Sequence, residues 1–472
     1  MSLTTRRLLL AGLTAAIALV CWFVIGAIGA VPGYDASWHL VWGGQILDGR
    51  TPTVDSWAAP TEHPLLLAIA TLCSLAGGKS SQLLLTLTLL ALITIAPALV
   101  RVGRSALGSR AAGVVAWFAL AGGYGLALMA LRGYLDVWFL LLISCAAAVA
   151  IERRPAAAAL PLALAGLLRP EAWLLAAAAL LLSWKSSSSS ERLRLGIATV
   201  LPACIWFGLD HLLAGDPLLS LRTARNLALE YDGGAAHVIL SSLGGGVRGP
   251  LTLLGIVGLA LALKLRGRKA IAVPIIIGAS GLLIAVLIAV AGLSLLPRYL
   301  LLTDLALSIF VGFAVAGWTS IVRGTQLRTG WSIAGSGVAA VAIVAAVVLS
   351  SPAKFSDELR IDRGIHQDLV AVLKAEQVNG SLSCGPLTFP SFRLLPDARL
   401  ILGNDAEPRG RAQQPVATSG VAIVITSNDP LINGRYAHPG IKLPADNRVP
   451  GGFSLLASHG AVVAWGRCPT SR

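Results

Sequence analysis

Along the first 350 positions, apolar residues run in blocks too long and too unbroken for a globular core. Stretches at about 8–30, 82–100, 111–131, 137–151, 195–209, 249–263, 270–296, 300–321 and 331–350, uncharged but for Asp304, are separated by polar segments, most of them short. A bilayer core about 30 Å thick takes about 20 apolar residues per crossing helix, so each block predicts a transmembrane helix. The first exceeds the roughly 7–15 apolar residues of a secretory signal and is read as a retained anchor. A tenth block, 155–184, is interrupted by Arg169-Pro170-Glu171. As one helix it would be about 45 Å long, too long for one ordinary crossing and too short for two full ones. Both its flanks are basic, which demands an even number of crossings, so the block predicts a hairpin of two short helices with Arg169 and Glu171 at its tip. About eleven crossings result.

Beyond residue 350 the pattern changes. A helix-like stretch near 356–377 precedes short β-rich runs, Val421-Ala422-Ile423-Val424-Ile425 and Ala461-Val462-Val463-Ala464-Trp465, with denser charge, proline and glycine. The chain is therefore divided into a membrane domain, 1–350, and a small α/β domain, 351–472.

Composition agrees with this pattern and narrows it. Of 472 residues 56% are apolar and 13% charged, against about 25% charged in soluble proteins, and the mean hydropathy is +0.76. These values exclude a soluble enzyme. The formal charge of +14 would raise the question of nucleic acid in a soluble protein. Here the charges cluster in the short loops: Arg6 and Arg7; Arg101, Arg104 and Arg110; Arg153 and Arg154; Lys185, Arg192 and Arg194; Lys264, Arg266, Arg268 and Lys269; Arg323 and Arg328. They fall at every second junction, which by the positive-inside rule puts the N-terminus and these loops in the cytoplasm and the C-terminal domain outside a plasma membrane. Those sixteen basic residues face only Glu152 and Glu191 among the acids, so the excess charge orients the chain and implies no nucleic-acid partner.

Four cysteines, Cys21, Cys73, Cys145 and Cys204, sit in apolar blocks as small hydrophobes. Cys384 and Cys468 are alone in the tail, and an outer location makes a disulfide between them the expectation. No CxxC, HExxH or histidine-rich cluster appears, so a metal site has no sequence support. The serine run 186–190 reads as a cytoplasmic linker.

With sides assigned, the polar residues acquire meaning. The first outer loop, Val31 to Glu62, carries Asp35, Asp48, Asp55 and Glu62 among Trp38, His39, Trp42 and Trp57. That density of tryptophan suits a segment lying in the membrane interface, and carboxylates held against apolar surface suit proton abstraction. The competing view is a solvated loop with incidental acids. Asp35 stands out because it follows the first membrane helix by a few residues, at the depth of a lipid head group. Arg132 with Asp136, Arg169 with Glu171, Asp210 with His211, and Arg298 with Tyr299 and Asp304 mark other outer helix ends. Ionisable groups there are costly and face a cavity or a partner; Arg132 and Asp136, four apart, could simply pair. Arg169 and Arg298 are candidate phosphate ligands.

An early acid in GYDASWHLVWGGQILDG, a His63-Pro64 step, Leu168-Arg169-Pro170-Glu171, and Pro297-Arg298-Tyr299-Leu300 opening a later helix together resemble the GT-C superfamily of membrane glycosyltransferases. These include protein O-mannosyltransferases, the lipid A aminoarabinose transferase and actinobacterial envelope glycosyltransferases. The resemblance spans about residues 1–320. It implies a helical polytopic fold, a polyprenyl-phosphate sugar as donor, inverting transfer to a glycan, lipid or protein acceptor on the outer face, and the first-loop acid, here Asp35, as general base. Substrate contacts would fall on Trp38, His39, Asp55, Arg169, Glu171, Arg298 and Tyr299. Many relatives carry paired acids where this chain has Asp35-Ala36-Ser37, and some have paired prolines where it has Glu62-His63-Pro64; a scheme that needs a divalent metal is unsupported. The rival class is a transporter or flippase of lipid-linked sugars, which would place polar groups at the bilayer midplane on repeated halves; here they collect at outer helix ends and no repeat is visible. A scaffold would leave the loop's acids and tryptophans without a role.

Overall fold

Helices cover almost every apolar block. The computed structural model describes residues 3–468 apart from 57, 123, 154, 229–237, 241–247, 292–294, 350–351, 404–406, 412–417 and 439–444. Trp57 and Arg154, named above, lie outside the described residues, as does the expected domain boundary.

The first helix, α1 (Leu3–Ile28), leads through Gly33 into a short helix α2 (Tyr34–Leu47), and a loop then reaches α3 (Pro64–Ser74). The bundle continues with α4 (Ser80–Leu107), α5 (Arg110–Ala121), α6 (Tyr124–Leu131) and α7 (Leu135–Glu152). Next come α8 (Ala159–Gly166), α9 (Glu171–Ser183), α10 (Ser189–Ala214) and α11 (Leu219–Ala228). Four long elements follow: α12 (Arg248–Arg266), α13 (Ala272–Val290), α14 (Leu301–Ala316) and α15 (Gln326–Leu349).

Seven of these are long and apolar enough to cross a membrane by themselves, and the α5–α6 pair, bent by 74°, makes an eighth. The sequence reading of eleven adds α15, 24 residues long, and the two short helices α8 and α9. Those two occupy the 155–184 block, broken at Arg169-Pro170 where the hairpin tip is expected.

Packing between the helices follows membrane rules, in which lipid gives no hydrophobic reward for helix association and close backbone approach supplies the contact. Gly312 of α14 rests against the carbonyl of Ala112 in α5, and Gly258 of α12 rests against the carbonyl of Phe310; a Cβ at either would collide with that oxygen. This explains why α14 is the most enclosed span, 89% buried, whereas the window in α1 is 11% buried and faces outward.

After the bundle, α16 (Pro352–Leu373) and α17 (Leu395–Leu402) flank a five-stranded sheet of β1 (Leu387–Phe389), β2 (Arg409–Gly410), β3 (Gly420–Ile425), β4 (Ser454–His459) and β5 (Val462–Arg467). The strand order is β2-β1-β3-β5-β4; β1 runs parallel to β2 and β3, and the other pairs are antiparallel, with Ile423 opposite Ala464. Cys384 is bonded to Cys468, their Cα atoms 5.0 Å apart, which ties the entry to β1 to the exit from β5.

Its core is not separate from the bundle. Trp38, Val41 and Trp42 of α2 join Ile361, Ile365, Phe392 and Leu395 in one apolar cluster. Trp38 and Trp42 are fully buried in this cluster, so these two rings face protein and not lipid.

Candidate active site

Three chain segments meet where α2 starts. Gly33 caps α2, and its N–H donates to the carbonyl of Arg132 at 2.7 Å. Glycine is required there because a side chain would meet the Tyr134 ring at 2.6 Å. Two residues later Asp35 occupies the first turn, where the helix dipole favours an anion. Across from it Arg298 is raised on the single turn Pro297–Leu300 that precedes α14, and its Nη1 lies 3.0 Å from Asp35 Oδ2. The pair is partly open, with side-chain exposures of 13% for Asp35 and 26% for Arg298.

Arg169, at the hairpin tip, sits behind this pair and is far more enclosed. It donates to the Arg298 carbonyl at 3.1 Å, lies 3.3 Å from Asp136 Oδ1 and 3.5 Å from Glu171 Oε1, and packs over the Tyr299 ring at 5.1 Å. Asp136 is wholly buried, and neither of its oxygens has a hydrogen bond. Five charges from α2, α7, the α8–α9 tip and the start of α14 therefore form one group: two guanidiniums against three carboxylates. Arg298 is the more open of the two guanidiniums, its side chain 26% exposed against 6% for Arg169. Arg169, locked between acids, holds the turn that carries it.

The structure thus brings Asp35, Arg169, Glu171, Arg298 and Tyr299 together. His39 lies one turn from Asp35 and donates through Nδ1 to its carbonyl at 2.7 Å; burial pushes its pKa down to about 4, so the ring is neutral and orients the helix. Its ring stacks on His63, centroids 5.7 Å apart. Trp38 belongs to the covered core described above. Asp55 is exposed and makes no hydrogen bond or ion pair with the Asp35 group; the charge beside it is Arg399. Asp48 pairs with Arg50 at 2.7 Å at the surface.

Two relationships differ from the sequence reading. Arg132 does not pair with Asp136: its guanidinium reaches Glu358 and Asp362 of α16, while Asp136 faces Arg169. Arg132 lies in the turn between α6 and α7, so the two residues never share a turn of helix, and partners from distant segments take both side chains. Glu62 and Asp210, both buried, are joined through Ser220, whose Oγ lies 3.2 Å from Glu62 and 2.9 Å from Asp210. The sequence marked both acids but could not couple residues so far apart. Tyr134 was missed altogether, its only signal being a position between two charged helix-end residues. Among the described residues no three His, Cys, Asp or Glu side chains are placed to hold a metal ion.

No family model and no curated protein matches this sequence. A solved structure does match the fold: ArnT from Cupriavidus metallidurans bound to undecaprenyl phosphate, at a TM-score of 0.56 and 15% identity, with 96% of this chain and 97% of that one covered. The chain shares the fold of that ArnT structure over nearly its whole length, sheet domain included.

Proposed function

We propose that this protein is a membrane glycosyltransferase that moves a sugar from a polyprenyl-phosphate donor to an envelope acceptor at the outer face, with inversion at the anomeric carbon. The observation that carries the reading is the Asp35–Arg298 ion pair, a carboxylate and a partly open guanidinium held 3.0 Å apart at the end of the bundle. The likeness to a fold that binds undecaprenyl phosphate in ArnT supports the donor class.

Arg298 takes the donor phosphate in place of Asp35, because a guanidinium binds phosphate as readily as carboxylate. Asp35 is released next to the anomeric carbon. The acceptor hydroxyl oxygen attacks that carbon, its proton passes to Asp35, and the bond to the phosphate oxygen breaks with its electron pair. Charge gathering on the departing polyprenyl phosphate is met by Arg298. A phosphate leaves without a proton, so the second carboxylic acid that glycoside hydrolysis uses has no counterpart to find here. Arg169, Asp136 and Glu171 hold Arg298 and the hairpin tip in register, and preorganisation of this kind determines how much of the phosphate charge is met.

Purified protein given a panel of polyprenyl-phosphate sugars is the test, with donor consumption as the readout. Wild type turns over one donor class; Asp35→Asn, which keeps the shape but cannot take the proton, loses at least about a hundredfold in rate, within the usual reach of a general base. Turnover by the variant at the wild-type rate removes Asp35 from this role. A transporter would move the lipid across vesicles without consuming it.

A further inference from the structure

Next to the Asp35 group, lined by Tyr134, lies a cavity of about 180 Å³ between the start of α2, the 132–134 turn and the sheet domain. One water needs roughly 10–15 Å³ of such space, so the cavity accommodates a molecule the size of a sugar unit. Most of its charges are already matched. Arg132 and Arg435 both reach Glu358 and Asp362, with contacts of 2.5–2.7 Å, and His366 Nδ1 lies 2.9 Å from Asp397.

Arg393 is the exception. It lines the cavity and rests over the Phe392 ring at 4.8 Å, but it makes no ion pair or hydrogen bond with any described residue and has a buried Nε without a partner. Leaving such a donor unmatched costs free energy, and a ligand in the cavity would recover it. The hydroxyl of Tyr134 is likewise without a partner among the described residues, and Asp35, Arg298, Arg132 and Arg393 all lie within electrostatic reach of it. His366, paired with Asp397, lines the same cavity. An unmatched guanidinium beside a phenol and an imidazole describes a receptor for one anion on a hydroxyl-bearing molecule.

We propose that this cavity is the acceptor subsite, and that it takes a hydroxylated acceptor through a single phosphate or carboxylate held by Arg393, with Tyr134 between that anchor and the reacting hydroxyl. The inference rests on the glycosyltransferase reading, since only then does a molecule next to Asp35 act as acceptor. It gives the sheet domain a function, because Arg393 and His366 come from that domain and Tyr134 from the bundle: the subsite exists only when the two are docked.

Binding of glucose 6-phosphate to the full chain in zwitterionic nanodiscs, followed by calorimetry, tests it. Arg393→Gln weakens binding at least about tenfold, the range of a lost charged hydrogen bond, Arg393→Lys restores most of it, and glucose binds at least about tenfold more weakly than its phosphate. Arg448→Gln, at an exposed surface pair, binds as wild type. Competition by phosphatidylglycerol in the disc assigns the anion to a lipid head group, and its absence assigns it to a glycan. Equal binding by wild type and Arg393→Gln overturns the subsite, as does loss in Arg298→Gln alone. The two readings fail separately: Asp35→Asn should bind the sugar phosphate normally while donor turnover stops, and a wild type that binds the probe yet consumes no donor refutes the enzyme and leaves the cavity.

Discussion

At the scale of single residues, Glu62 shows how burial converts an ordinary loop acid into a titrating element. Burial first, and then the hydrogen bond and charge of Asp210, push its pKa up to about 8 from 4.5. The folded chain therefore keeps a proton that the unfolded chain has released between those two values, and stability falls as pH rises through that window. His366 slopes the same way: Asp397, by hydrogen bond and charge, outweighs the opposing effect of burial and raises its pKa. The diagnostic quantity is accordingly the difference between proteins. Wild type in detergent unfolds at progressively lower temperature from pH 5 to pH 8.5, and Glu62→Gln, which cannot ionise, loses a clear part of that slope. An unchanged slope in the variant would place the titration elsewhere. Neither the sharing with Asp210 nor the loss of solvent at Glu62 is written in the local sequence, since both arise from α10 and α11 closing over the loop.

Elements tell a similar story about what a one-dimensional pattern contains. Seven or eight spans were legible because lipid imposes the same demand on each, and the break within 155–184 was legible because Arg169-Pro170-Glu171 interrupts an otherwise apolar run. The helix α2 was not. It is covered on more than one side, by α3 and by the sheet domain, so its apolar positions show no single face, and the 31–62 segment read as a loop. Its cover arrives more than 300 residues later in α17, which packs in turn against α16. Glu358 and Asp362 are four apart on that helix, so they share one face, and Arg132 and Arg435 close on both of them. The Arg132 and Arg435 side chains are 18% and 25% exposed, between the surface pairs worth little and the buried ones costly to break. Replacing Glu358 by Gln and Asp362 by Asn leaves two guanidiniums facing each other. The double variant should lose about 1–3 kcal/mol and exchange amide hydrogens faster along α16, seen by mass spectrometry. Unaltered exchange would mean that the apolar cluster around Trp38 alone docks the domain.

For the molecule as a whole, the decisive property is which side each end faces, because the proposed donor and acceptor chemistry requires Asp35 and the sheet domain outside. Two independent features bear on this. The basic loops count sixteen cations against two acids on the side assigned to the cytoplasm, an arrangement that orients membrane helices. The Cys384–Cys468 disulfide belongs to an oxidising compartment, which a cytoplasmic domain would not supply. The outer assignment requires an odd number of crossings between the ends, and therefore that α8 and α9 count as two, so that Arg153 and Lys185 share a side while Arg169 faces the other. Alkaline phosphatase fused after residue 472 should be active and a green fluorescent protein fused there dark. In the same exported protein, Cys384 and Cys468 should resist a maleimide until a reductant is added. The Cys384→Ser, Cys468→Ser protein should be less stable by about 2–4 kcal/mol. Fluorescence at the C-terminus, or thiols that react without reduction, would move the sheet domain to the cytoplasm and with it the site, and no outer-face transfer could then be proposed.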